Sequence, residues 1–143
     1  MSSYITKIIK LLKKNEALSH ARRSKLTILV DENIEGLKES LISLGYRAIG
    51  LKKSLKDPEI QQLAQGSAIL TKNSKDFIED AVRFDYDIIG IEDIKFIDKA
   101  TDHTNLTAKK ISKAIRTSQF YNIRGNFLLK IHDDGTYKVI PLK

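Results

Sequence analysis

Asp31, Glu32 and Asn33 follow the apolar run 26–30, Thr71, Asn73 and Asp76 close or follow the run 68–71, and Glu92 and Asp93 follow the run 87–91. In an open α/β sheet ligands sit beyond the carboxyl ends of the strands, so these are the positions from which side chains would reach one. Asp57 opens a further helical pattern that leads back towards the sheet. Carboxylates gathered at one edge repel each other unless a cation sits among them, and hard oxygen donors suit Mg²⁺ or Mn²⁺. An ion held there can orient water and offset charge on a phosphodiester. Each acid also has a purely structural account. Asp31 and Asp57 are good helix N-caps, and Asp76 falls in a first helical turn, where a carboxylate is favoured by the helix dipole.

The elements that would carry these residues follow from hydrophobic periodicity. The run 26–30 reads as a strand buried on both faces, of the kind found in parallel sheets. Ile34, Leu37, Leu41 and Leu44 give a helical stripe that Gly45 closes. Residues 46–51 read as a second strand, and Asp57, Pro58, Ile60, Leu63 and Ala64 mark a helix ended by Gly66. A strand at 68–71, a helix from Ser74 to Phe84 and a strand at 87–91 come next. Thr107 is expected to cap a helix carrying Ile111, Ala114 and Ile115. Two strands around Asp133, Asp134 and Gly135 then form a hairpin, which either extends the sheet or stands as a separate contact surface. Alternating strands and helices predict an α/β fold with a mainly parallel central sheet between two helical layers.

Charge is unevenly spread. Lys and Arg outnumber Asp and Glu 25 to 18 over the 143 residues. Both ends are strongly basic and the stretch 26–103 is acidic. Basic surfaces bind phosphate backbones, and clustered carboxylates hold divalent ions. Residues 1–25 carry an amphipathic pattern, with Ile5, Ile8, Ile9 and Leu12 on one stripe and Lys10, Lys13 and Lys14 mostly off it. Together with Arg22 and Arg23, those lysines are the expected nucleic-acid contacts. A competing expectation is that the stripe packs on a second copy or another protein. With no Cys and only His20, His103 and His132 as histidines, thiol nucleophiles, disulfides and His-rich metal clusters are excluded. Neither a membrane span nor a secretory signal is expected, which makes the cytoplasm the expected compartment. No glycine-rich nucleotide motif is present.

D-E-N-I (31–34), D-P-E-I-Q-Q-L-A (57–64) and I-L-T-K-N-S-K-D-F (69–77), in that order, resemble the PIN-domain ribonucleases, and most of all the compact PIN-like proteins that open on an L-L-D-E-N-type motif. VapC-type toxins are related to these. The resemblance covers about residues 26–92. It implies a PIN-like three-layer α/β/α sandwich and a Mg²⁺- or Mn²⁺-dependent nuclease that cleaves single-stranded RNA; the choice between RNA and DNA is left open by the sequence. It also implies a toxin role with an antitoxin protein as partner, while the apolar stripe in residues 1–25 is what would pair the chain with a second copy. By position, Asp31, Asp57 and Asp76 would be the catalytic and metal-holding carboxylates. Glu32, Thr71 and Asn73 would support them. Asn73 stands where compact members often carry Asp, which removes a charge from the site.

These readings divide the chain into a basic helix and link (1–25), a PIN-like core (26–103) and a basic helix and hairpin (104–143) packed on the same domain. Two other functions are weighed against the nuclease. One is a catalytically inactive module on the same fold that binds nucleic acid or protein. The other is a response-regulator-like domain, which would need a phospho-accepting Asp at a mid-sheet strand end, whereas the acid here is Asp31 at the first strand.

Overall fold

Leu29 faces one core while Ile28 and Val30 face another, and all three are fully buried. A strand covered on both faces demands an unbroken apolar run, which is what 26–30 supplies. The computed structural model describes residues 26–51, 67–95, 101–120, 123 and 125–143. The run forms β1 (Thr27–Val30), followed by α1 (Leu37–Ser43), β2 (Arg47–Gly50) and β3 (Ala68–Thr71). Then come α2 (Ile78–Phe84), β4 (Asp87–Asp93), α3 (Thr101–Ser118), β5 (Phe127–His132) and β6 (Tyr137–Pro141).

The strands form one six-stranded sheet in the order β2-β1-β3-β4-β5-β6. All neighbours from β2 to β5 run parallel, and β5 and β6 are antiparallel. The hairpin therefore extends the sheet. The fold is α/β, as expected, with helices on both faces. On one face α1 (Leu37, Leu41) and α3 (Ala108, Ile111, Ala114, Ile115) cover Ile28, Val30, Leu70, Ile89 and Leu129. On the other, Ala81 of α2 and the adjacent Tyr86 cover Leu29, Ile69, Ile88 and Leu128. The crossovers β3-α2-β4 and β4-α3-β5 step the same way across the sheet over opposite faces, so they have opposite hands. Both hands in one sheet are uncommon. One result is that α1 and α3 lie side by side, joined by a 2.6 Å hydrogen bond from Ser40 Oγ to Asn105 Oδ1.

Gly45 follows α1 with φ of 93°, the left-handed conformation that its expected place after the helix requires. Two expected helix boundaries are corrected. The segment from Ser74 begins as a tight 3₁₀ turn (Ser74–Phe77), and α2 starts only at Ile78. Thr107 caps nothing, because α3 already begins at Thr101. Thr104 and Thr107 are both buried, so the inner face of this first half of α3 is small and hydroxylated rather than apolar, and its helical period is hidden from a hydrophobicity reading. The helix expected from Asp57 and the amphipathic pattern in residues 1–25 lie outside the described residues.

The amino-terminal edge of the sheet is tied by polar side chains. The amide of Asn126, itself buried, donates to the Ala81 carbonyl at 2.6 Å and the Tyr86 carbonyl at 3.3 Å. The buried Asp87 carboxylate accepts from the Phe127 backbone N–H at 2.8 Å. The Tyr86 hydroxyl donates to the Phe77 carbonyl at 3.4 Å, and burial pushes its phenol well above the usual range. The Asn126 and Asp87 bonds fix where β5 starts beside β4. Asn126 also holds φ of 69°, which Asn tolerates better than most residues. Replacing Asn126 with Ala should cost about 2 kcal/mol in urea unfolding, from the lost buried hydrogen bonds and the strained backbone. Asn126→Gly, which relieves only the backbone part, should recover a fraction of that loss.

Candidate functional site

Because β1, β3, β4 and β5 run parallel, their carboxyl ends share one edge. Asp31, Thr71, Glu92 and Asp93, and His132 stand at those four ends. From β1 the chain passes to β2 on one side, and β3 then takes up the other side. Such a reversal opens a crevice between the two strands, and open α/β sheets bind ligands there.

At that crevice the hydroxyl of Thr71 donates to Asp31 Oδ2 at 2.9 Å. The same hydroxyl oxygen accepts from the Asn73 backbone N–H at 3.0 Å. Thr71 is fully buried, so its rotamer is fixed by packing as well as by both bonds. The Asp31 backbone N–H donates to the Leu70 carbonyl at 3.0 Å, which carries the β1–β3 pairing to this point. Asp31 occupies the N-cap position of a single 3₁₀ turn (Glu32–Ile34), yet its side chain makes no capping bond. Its carboxylate is therefore spent on Thr71 and not on the helix, contrary to its structural account. Among the described residues Asp31 Oδ1 has no partner, and Asp31 is half-buried.

The other expected residues spread along the same edge. Glu32, Asn73 and Asp76 are exposed. Asn73 and Asp76 line a cavity of about 290 Å³ formed by the 72–76 turn, Glu92 and Lys130, and Asp31 stands outside that lining. Asp57 and the five expected nucleic-acid contacts Lys10, Lys13, Lys14, Arg22 and Arg23 lie outside the described residues. Among the described residues no three or more His, Asp or Glu side chains group so as to hold a metal ion. The third strand ends in the Thr71 hydroxyl, so it offers no phospho-accepting carboxylate there.

The sequence offers Glu92 only as one of two acids after a strand, whereas in the structure it organises the edge beside β3. Its Oε2 accepts from both the Ser74 backbone N–H (2.8 Å) and the Ser74 hydroxyl (2.7 Å). Its Oε1 is buried, with no hydrogen-bond partner among the described residues. The β4–β5 register is irregular between Gly90 and Asp93. Such bulges re-aim side chains next to functional edges. Glu92 thereby turns to the Ser74 turn, while Asp93 turns to β5, where Lys130 Nζ (3.7 Å) and His132 Nδ1 (3.1 Å) converge on its Oδ2. These last pairs are substantially exposed and add little stability. Next to them in the hairpin turn, the Lys95 backbone N–H and then the Lys110 ammonium hold the Asp133 carboxyl below its usual range. The sequence did carry one signal for this arrangement. A glycine inside an apolar strand marks a bulge or a close approach.

Among the described residues no helix is long and apolar enough to cross a membrane. No family model, curated protein or solved structure matches this chain.

A Cβ added at Gly90 would lie 2.6 Å from Glu92 Oε1 and 3.2 Å from the Ser74 side chain. Gly90→Ala should therefore push the carboxylate off Ser74 and destabilise the protein by about 1–3 kcal/mol. In a Glu92→Ala background the same substitution should cost clearly less, a coupling that a double-mutant cycle in urea reads directly. Equal costs in both backgrounds would show that Glu92 does not occupy the space beside Gly90.

Proposed function

We propose that this chain is a PIN-like, divalent-metal-dependent endoribonuclease that cleaves single-stranded RNA, in the manner of the toxin of a toxin–antitoxin pair. The observation that carries the reading is the bond between Thr71 and Asp31. Two motifs that resemble the PIN family lie 40 positions apart in the chain and meet at 2.9 Å, at the crevice where an α/β sheet takes a ligand.

The donors on the page fit a hard divalent cation in type, being carboxylate and hydroxyl oxygens. Asp31 and Asp76, with Asp57, would hold Mg²⁺ or Mn²⁺, and such an ion lowers the pKa of a bound water and offsets charge on a phosphodiester. The chain's own residues do the positioning. Thr71 ties down one oxygen of Asp31, the other having no partner among the described residues, and the Asn73 N–H orients the Thr71 hydroxyl so that its proton points to Asp31. Partners of this kind, behind a ligand, set its direction and its basicity. Lys72, Lys75 and Lys130 stand beside the same edge, where they oppose the repulsion between the acidic centre and a phosphate backbone.

A non-catalytic nucleic-acid-binding module on the same fold is the second reading. It is favoured by the occupation of Glu92, the cavity's half-buried carboxylate, with Ser74, which leaves the exposed Asp76 as the other acid in that lining.

Cleavage of a single-stranded RNA should need Mg²⁺ or Mn²⁺ and stop with EDTA. Asp31→Asn should abolish it while preserving the fold, since the amide oxygen still accepts from Thr71. Thr71→Val should lower metal affinity or activity about 10–100-fold, the usual effect of losing a ligand's supporting partner. RNA cleavage that survives EDTA, or full activity in folded Asp31→Asn, would remove the metal-nuclease reading. RNA binding without any cleavage would select the non-catalytic module.

A further inference from the structure

Charge on α3 has one sign. From His103 to Ser118 the helix carries Lys109, Lys110, Lys113 and Arg116 and no Asp or Glu. The other helices mix signs, since α1 pairs Lys38 with Glu39 at 3.8 Å and α2 sets Glu79 and Asp80 against Arg83. Lys109, Lys113 and Arg116 are exposed and fall at i, i+4 and i+7, which makes them one stripe opposite the face that buries Thr104, Ala108, Ile111 and Ile115. Like charges at that spacing repel and weaken a helix, whereas a Glu at one of the positions would support it. Arg116 lies in the last turn, where the helix dipole favours a cation. Lys109 and Lys113 lie before that turn and lack such an account. Neither is in an ion pair among the described residues. Lys110, on the flank, is occupied: its ammonium donates to the Asp133 carbonyl at 2.6 Å and faces the Asp133 carboxylate at 3.6 Å.

The stripe begins beside the candidate edge. Because α3 follows β4 and leads into the parallel β5, it starts at the carboxyl ends of the strands and runs back along the sheet. The bond from Lys110 to the turn after β5 holds the helix to that edge one residue from Lys109. Along the axis Lys109 and Lys113 are about 6 Å apart, and Lys113 and Arg116 about 4.5 Å. A straight row of unpaired cations fits a linear polyanion with a charge in every repeat. A membrane surface would ask for aromatic and apolar anchors beside the cations, and among the described residues the exposed face of α3 offers only Leu106, 57% exposed.

We propose that the exposed face of α3 is a docking surface for single-stranded RNA, with Lys109, Lys113 and Arg116 each neutralising a backbone phosphate of a strand that continues past the carboxyl edge. The proposal rests on the ribonuclease reading for the kind of strand. Phosphate contacts of this sort position a strand and carry no sequence information, so the surface adds affinity and leaves the choice of cleavage point to the edge. Binding of the phosphates also removes the repulsion along the stripe.

The test follows binding of a labelled uridine oligoribonucleotide by fluorescence anisotropy across a salt series, in EDTA so that no metal-dependent cleavage intervenes. Each single-strand phosphate neutralised contributes about 0.7 to the slope of log affinity against log salt. Lys109→Gln/Lys113→Gln should therefore flatten the slope by about 1.4, and adding Arg116→Gln should remove about 0.7 more. Gln matches Lys and Arg in helix propensity, so α3 should persist. Arg83→Gln/Lys143→Gln removes the same charge on the α2 side of the sheet, where Lys143 pairs with Asp85, and should leave the slope nearly unchanged. An equal change in both double variants would show a net-charge effect and overturn the proposal, as would an unchanged slope in the folded stripe variant. In the wild-type chain, backbone amides over 106–116 should shift in NMR when the oligomer is added. No shift there overturns the proposal whether or not the variants fold. Poly-glutamate is the probe for an acidic protein partner. Loss of poly-glutamate binding in the stripe variant, with its RNA slope intact, would assign the face to such a partner and overturn the choice of RNA. Metal-dependent cleavage with a slope indifferent to the stripe would overturn this inference alone. A stripe-dependent slope without cleavage would overturn the nuclease and leave the inference standing. Failure of the wild-type chain to bind the strand would overturn both.

Discussion

The hydrogen bond from Thr71 to Asp31 joins the ends of two neighbouring strands at the place where the sheet changes direction. It exists because β1 and β3 are parallel, with Val30 opposite Leu70, so that the next residue of each strand emerges side by side. Both strands are apolar up to that point, and the polar groups begin together as the chain leaves the core. Buried Thr71 cannot turn its hydroxyl to water, and with the Asn73 N–H on its oxygen the proton has Asp31 as its acceptor. A residue one step along in either strand would point into the opposite core. The alternation that buries Leu29 on one face and Val30 on the other therefore fixes which side chains meet at the edge.

Beside this contact the edge is built differently. There β4 carries the acids Glu92 and Asp93 in succession, and the irregular register after Gly90 lets both work at once. The first secures the turn that follows β3, and its other oxygen has no donor among the described residues. The second gathers Lys130 and His132 of β5. Both halves of the edge share the 72–76 turn, which hangs from Thr71 at its start and from Glu92 through Ser74. A change in either anchor would shift the lysines and the Asp76 carboxylate that the turn carries.

Much of this fold is legible in the sequence because parallel strands announce themselves as unbroken apolar runs. The runs 26–30, 68–71 and 87–91 need no partner to be recognised, although β4 continues through Glu92 to Asp93, and Asp133, Asp134 and Gly135 mark the hairpin. Helix boundaries fare worse where polar residues face inward. Thr104 and Thr107 fill the inner face of α3 with hydroxyls, so the helical period vanishes there and the start reads too late. The edge at which the polar residues gather was also legible, since residue types after each run suffice for that. Contacts across it were not. Asp31 reads equally well as an N-cap, and only the pairing of β1 with β3 sends its carboxylate to Thr71 instead. Glu92 and Ser74 are 18 positions apart and meet through the bulge, a feature of register that no local pattern encodes beyond the glycine within the strand.

As proposed above, Asp31, aimed by Thr71, would hold a divalent ion at the crevice between β1 and β3. Titrating the protein with Mn²⁺ and mapping paramagnetic broadening of backbone amides in NMR tests this most directly. Broadening should appear first at residues 31–33 and 71–76, and Asp31→Asn should remove it from both stretches. Broadening that gathers instead around Asp93, Asp133 and Asp134, and is indifferent to Asp31→Asn, would rule out an ion at Asp31.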